Sequence, residues 1–290
     1  MQWRQVTHGV HVPADAEAGA ELVAWQLLLP AHGCFTHLTA AAVRSWWLPP
    51  LPVGLPVFVS LGQRDPRPMR AGVRSLRLAR PCEVVLVAGV RVAPPIEVLL
   101  ACAQDLGLID LVVLLDAAAY AGDIDPVDLR RQVATMRGRR GLVALRRALR
   151  LADGRAESPW ETLLRLLLVV CGLEVEAQHE IEGVARADLW LVGTRTLQEY
   201  DGEVHLPRAS QKRDLRRLRR LDEAGWARHG YTDDDVLRRA VGVLRDADRA
   251  VGREHVPARI RQWHALLRES LFTPAGTPRL LARLGVEQAA

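Results

Sequence analysis

The chain has 290 residues, 49% hydrophobic and 25% charged, a globular balance with length for two domains. A formal net charge of +5 and a pI of about 9.5 permit nucleic-acid binding, although arginine richness also accompanies GC-rich genomes. Cys34, Cys82, Cys102 and Cys171 stand alone in apolar surroundings, which argues against a disulfide framework or paired zinc ligands. With no apolar signal core and no run near the roughly 18 residues of a membrane span, a cytoplasmic chain without a membrane segment is expected.

In chain order, residues 2–12 alternate as one strand or a tight pair of strands. Helices are predicted over 18–29, stopped by Pro30, and over 39–47, stopped by Pro49 and Pro50. Residues 57–61, 73–78, 83–87 and 90–92 read as short strands of a small mixed sheet. The period then changes. Pro94 and Pro95 open a helix to about Gln104, followed by helices over 109–120, 126–136 and 142–151, whose Leu-Val-Val-Leu-Leu-Asp-Ala-Ala run reads as core.

A glycine-containing break at 152–156 separates this half from the next. Ser158, Pro159 and Glu161 form a helix start of capping-box type, which gives Glu161 a structural role as an alternative to a chemical one. From Ser158 onward the order is helix, three strands, helix, strand over 225–231, and a helix over 233–251; the tail, 257–271 and 280–285, reads as one or two helices. The fold class is therefore α/β, α+β overall, with a mixed sheet flanked by helices behind a smaller mixed strand and helical domain. The divisions are 1–152, 153–250 and 251–290.

The stretch from Asp188 to His205 organises the second half. Its two runs, 187–192 and 196–201, flank Gly193 and Thr194 as a hairpin. Glu199 and Asp201 share a strand face, as do Arg186, Asp188 and Trp190 on the preceding strand, so a coincident register brings three carboxylates together. Packed acids repel unless a proton or cation lies between them, and hard oxygen ligands suit Mg²⁺; acids along a solvated sheet face are the plain alternative. Next comes a basic helix carrying Arg208, Lys212, Arg213, Arg216, Arg217, Arg219 and Arg220, with Leu215, Leu218 and Leu221 at helical spacing. Such a face attracts phosphodiester backbones, or is simply a solvated helix. No Gly-rich phosphate loop, Cys-x-x-Cys or Gly-x-Ser-x-Gly occurs, which leaves nucleotide triphosphatase, zinc-ribbon and serine hydrolase readings without support.

Several phrases in order carry a resemblance. Glu-Ser-Pro-Trp-Glu-Thr-Leu-Leu-Arg at 157–165, Arg-Ala-Asp-Leu at 186–189, Glu-Tyr-Asp-Gly at 199–202 with His205 beyond, Asp214 with Arg217, Gly-Trp at 225–226 and Thr-Asp-Asp-Asp-Val at 232–236 resemble the Vsr-like nuclease domains of the PD-(D/E)xK superfamily. The resemblance implies a restriction-endonuclease-like sheet, with Asp188 and Glu199 as metal ligands and Glu161 as the helical glutamate supporting the metal. Asp201 stands where the superfamily has lysine, which leaves the general base open between His205 and Lys212. Gln198 stands where such domains are generally apolar. Implied further are Mg²⁺ or Mn²⁺ as cofactor and nucleic acid, DNA first, as partner and substrate, with Arg208, Lys212, Arg213, Arg216, Arg217 and Arg220 on its backbone.

The first half, with His37-Leu-Thr-Ala-Ala-Ala leading to Trp47 and then strands and an apolar helix after Pro94, resembles AbiEi antitoxin-like proteins. The resemblance implies that residues 3–12 correspond to the wing of a winged helix-turn-helix whose helices are not recognisable in this chain. A toxin partner or a homodimer is what this resemblance implies. Two functions of different class follow: a metal-dependent endonuclease in defence, repair or mobile-element biology, and a non-catalytic, antitoxin-like nucleic-acid-binding regulator.

Overall fold

The computed structural model describes residues 2–17, 19–66, 70–79, 82–202 and 208–286, with 208–214 described as backbone alone. Strands β1 (Trp3–Thr7) and β2 (Val10–Pro13) form the expected antiparallel pair, and Gly9, at φ 73°, makes the turn. Helix α1 (Ala20–Gln26) ends ahead of Pro30; β3 (Cys34–Phe35) and α2 (His37–Val43) follow, α2 starting before the predicted 39. Strands β4 (Val57–Gly62), β5 (Val73–Leu78), β6 (Val85–Val87) and β7 (Val90–Val92) complete a mixed sheet of order β5-β4-β3-β7-β6.

Helices α3 (Pro95–Cys102), α4 (Leu108–Tyr120), α5 (Pro126–Thr135) and α6 (Leu142–Leu149) form the helical block. Their ends follow local chemistry: Pro126 opens α5, and Asp125 caps it by accepting the N–H groups of Val127 and Asp128. Helix α4 is buried from Ile109 through Ala118 on every face, as an all-round apolar helix must be. It packs on both α6 and α7 (Pro159–Val170).

The second sheet contains β8 (Val175–Ile181), β9 (Ala185–Leu191), β10 (Thr196–Tyr200) and, after helix α8 (Arg208–Glu223), β11 (Ala227–Tyr231), in the order β11-β10-β9-β8. Pairing is antiparallel except for β10 with β11, which lie parallel because α8 carries the chain back across the sheet. The single helix expected over 233–251 is two, α9 (Asp233–Leu237) and α10 (Ala240–Ala250). The indole N–H of Trp263 donates to the Val236 carbonyl at 3.0 Å, taking an acceptor that a continuous helix would give to Ala240. The tail is a short turn at Pro257–Ile260, then α11 (Arg261–Leu267) and α12 (Gly276–Leu284).

One hydrophobic cluster runs from Trp25 to Leu284 through both halves, so residues 152–156 join two parts of a shared core. Buried carboxylates pin the parts together. Asp116 of α4 accepts Arg165 Nη2 at 2.8 Å and the Thr162 hydroxyl at 2.9 Å from α7, and the N–H groups of Asp153 and Gly154 at 3.0 Å. Asp110, also on α4, accepts the Ser270 hydroxyl at 2.6 Å and the Leu271 N–H, which docks the tail. His37 is fully buried and stacked on Phe58, with Nε2 3.2 Å from Asp105.

Candidate functional site

The site is built on β9, β10, β11 and α8. Leu197 pairs with Trp190 and Gln198 with Leu189, a register that continues to set Glu199 opposite Asp188. The coincidence of faces required by the sequence is therefore met: Arg186, Asp188, Glu199, Tyr200, Asp201, Arg217, Leu218 and Arg228 line one cleft of about 510 Å³. The Tyr200 N–H donates to Asp188 Oδ2 at 2.9 Å. Burial drives the Asp188 carboxyl up to about 7; the Tyr200 N–H opposes this, and the nearby charges of Glu161 and Glu199 reinforce it.

Glu199 is 4% exposed and lies between two guanidinium groups. Arg217 grips it as a fork, with Nη1 2.9 Å from Oε2 and Nη2 on Oε1, while Arg228 Nε also donates to Oε2. Burial works to raise the Glu199 pKa, but the two arginines outweigh it and hold the carboxyl below its ordinary value. Arg228 reaches on to Asp201, and Arg217 Nη2 also donates to the Arg186 carbonyl at 2.9 Å. Gly230, which pairs with Glu199, lies against Asp201 so closely that a β-carbon there would displace that carboxylate.

Glu161 has two hydrogen-bond donors on one oxygen and stands close enough to Asp188 for its charge to act on that carboxyl. Its Oε2 accepts the Glu157 N–H at 2.8 Å and Gln178 Nε2 at 2.9 Å, and its own N–H is capped by Ser158 at 3.2 Å. Among the described residues no three of His, Cys, Asp and Glu are grouped to hold one metal ion. His205 lies outside the described residues, as do the side chains of Arg208, Lys212 and Arg213. Arg216 and Arg220 are exposed, whereas Arg217 turns inward to Glu199. The leucine stripe is corrected: Leu221 is buried against Ala187 and Leu197, while Leu215 and Leu218 are exposed, because α8 meets the sheet with Leu221 and Arg217.

Three features were missed in the sequence. Arg228 is a charge in a short strand, and its role depends on the parallel register that sets β11 beside Glu199. Gln178 sits at φ 53° within β8 and aims its amide at Glu161. Trp160 stacks on Tyr200, with centroids 5.5 Å apart, and meets Phe272 edge-on at 5.3 Å, so the tail supports the wall of the cleft. Only the aromatic character of Trp160 and Tyr200 hinted at that contact.

No protein-family model matches the chain, and no solved structure does. It is 38% identical over 146 residues to uncharacterized proteins of Mycobacterium tuberculosis, from strains CDC 1551 / Oshkosh and ATCC 25618 / H37Rv; the match covers 47% of this chain and 54% of each relative. The chain thus spans about half the length of the curated relatives it matches.

Proposed function

We propose that the second half hydrolyses a nucleic-acid phosphodiester, DNA first among candidates, with a divalent cation, Mg²⁺ or Mn²⁺, at Asp188. The observation that supports this is a desolvated carboxyl, pushed up to about 7, in a cleft that it shares with Glu199, Asp201 and three arginines. A carboxylate destabilised in this way takes up either a proton or a cation. The donor set fits two carboxylates, Asp188 and Glu199, without Glu161. Two suffice for Mg²⁺, which commonly keeps several waters and takes further ligands from substrate phosphate. When bound, such an ion would polarise a phosphoryl oxygen and acidify a water.

The chain's own groups do the rest. Arg186, Arg217 and Arg228 balance the three carboxylates of the cleft, and the exposed Arg216 and Arg220 add positive charge beside it along α8, in the same helix as Arg208, Lys212 and Arg213. Glu199 orients the guanidiniums of Arg217 and Arg228 in advance. A phosphate that competes for those donors releases Glu199 toward Asp188.

A second reading, a non-catalytic nucleic-acid-binding regulator of antitoxin-like character, is favoured by one observation: both oxygens of Glu199 are already matched by guanidinium donors. Labelled single-stranded DNA, duplex DNA and RNA, incubated with Mg²⁺ or Mn²⁺ and the parent, Asp188→Asn or Glu199→Gln chains, separate the two. Cleavage by the parent alone supports the nuclease. Salt-sensitive binding without cleavage by any of the three supports the regulator.

A further inference from the structure

A second cleft lies about the first sheet, away from the acids of the second. It has a volume of about 590 Å³, within the range of roughly 300–1,000 Å³ usual for small-molecule sites. Strand β5 forms one wall through Arg74, Ser75 and Arg77; α3 forms another through Glu97, Leu100 and Gln104; the segment between α5 and α6 closes it with Arg139 and Arg140. Four arginines thus face a single lining carboxylate, Glu97, which pairs with Arg139 at 2.5 Å.

Arg139 is held by Glu97 and Arg74 Nη2 lies 4.0 Å from Asp105, so the four arginines face two acids and keep a positive balance. Arg77 donates to the carbonyls of Gln63 and Asp65, both at 2.5 Å, and Arg74 to the carbonyls of Leu284 and Arg283 at the end of α12. Carbonyl acceptors fix a guanidinium and leave its charge for an incoming anion. Thr36 and Ser60, 2% and 4% exposed, are polar lining residues of the same cleft, and the Thr36 hydroxyl does not cap the helix that starts beside it. Leu76, Leu78, Leu100 and Ala101 supply apolar wall beside the charges.

We propose that this cleft binds a phosphorylated small molecule of nucleotide size, its phosphates on Arg74, Arg77, Arg139 and Arg140 and its organic part against the leucines. Charge without apolar wall would suit inorganic phosphate alone, and the leucines are what select the larger ligand. Nothing in this proposal depends on the reaction at Asp188.

The test is calorimetric titration of the full chain with ADP, inorganic phosphate, adenosine and a single-stranded 12-mer oligonucleotide. Saturable ADP binding is expected, at least about tenfold tighter than phosphate or adenosine, and weakened roughly 10- to 100-fold by Arg140→Ala or Arg139→Ala, as befits loss of a charge-assisted hydrogen bond. Arg140 is exposed and its removal leaves the core intact, so a misfolded variant is not the expected cause. Arg217→Ala, in the other cleft, is expected to leave ADP affinity unchanged. The proposal is overturned if ADP gives no saturable binding, if phosphate binds as tightly as ADP, or if Arg139→Ala and Arg140→Ala have no effect. Displacement of ADP by the oligonucleotide that Arg217→Ala abolishes would likewise overturn it, since the ligand would then be seated at α8.

Discussion

Asp116 offers the sharpest test of how the two halves are fastened. Its carboxylate is fully buried, and it satisfies a guanidinium, a hydroxyl and two backbone N–H groups that belong to α7 and to the segment preceding it. Asp116→Ala leaves the charge of Arg165, itself 4% exposed, without its carboxylate partner and with the Leu151 carbonyl as remaining acceptor. Breaking a buried pair from one side costs about 3–5 kcal/mol. For a chain of this size about 2 °C of melting temperature corresponds to each kcal/mol, so a drop of about 6–10 °C is expected by differential scanning calorimetry. Because the cost comes from the stranded charge, Asp116→Leu combined with Arg165→Met should recover more than half of it. A single-variant shift under about 2 °C, or a double variant no better than Asp116→Ala, would refute the reasoning.

Other outcomes are expected from the same physics. Gln198 is fully buried and, among the described residues, neither side-chain amide atom finds a hydrogen-bond partner, so Gln198→Leu should stabilise the chain by about 1–3 kcal/mol in chemical denaturation; a loss of stability would show that the amide has a further partner. Asp188 and Asp110 both titrate near 7 when folded, because burial raises them, against about 3.9 unfolded. The folded chain then holds more protons between those values, so each group's contribution to stability falls as pH rises from about 4 to 7 and is level above. Asp188→Asn should flatten its share of that slope and raise the melting temperature at pH 8 relative to the parent; identical pH profiles would count against the raised carboxyl. A β-carbon on Gly107 would run into the backbone of Glu269, so Gly107→Ala should cost about 1–3 kcal/mol by shifting the tail off α4, measurable as faster proteolysis after residue 250.

Much of the architecture was legible because its signals are local. Pro30, Pro95, Pro126 and Pro159 punctuate helices as proline must, and the change from alternating strands to apolar helices after residue 94 stands as read. The hairpin and the helical crossover to a parallel strand were also readable, from Gly193 and from the run of arginines. What stayed hidden depends on contacts between distant residues. The break near residue 238 accompanies an indole that donates to a carbonyl 27 positions earlier, and the guanidinium pair on Glu199 joins α8 to β11. Glu161 shows the limit of a motif: the spacing suits both a cap and a ligand, and the Glu157 N–H and Gln178 amide settle its present partners.

Helix α8 is also the crossover that lets β11 pair with β10, and it carries seven basic residues against three acidic ones. Closing that loop therefore concentrates like charge next to the edge strand β11. Mutual repulsion along α8 opposes the closure, and salt weakens that repulsion. A polyanion that binds only the closed form contributes its binding free energy to folding by mass action. If the cleft meets nucleic acid as proposed, the assembly of β11, and with it the delivery of Arg228 to Glu199, would be coupled to that binding. Amide exchange at Arg228–Tyr231 should slow when DNA is added, and more so at low ionic strength.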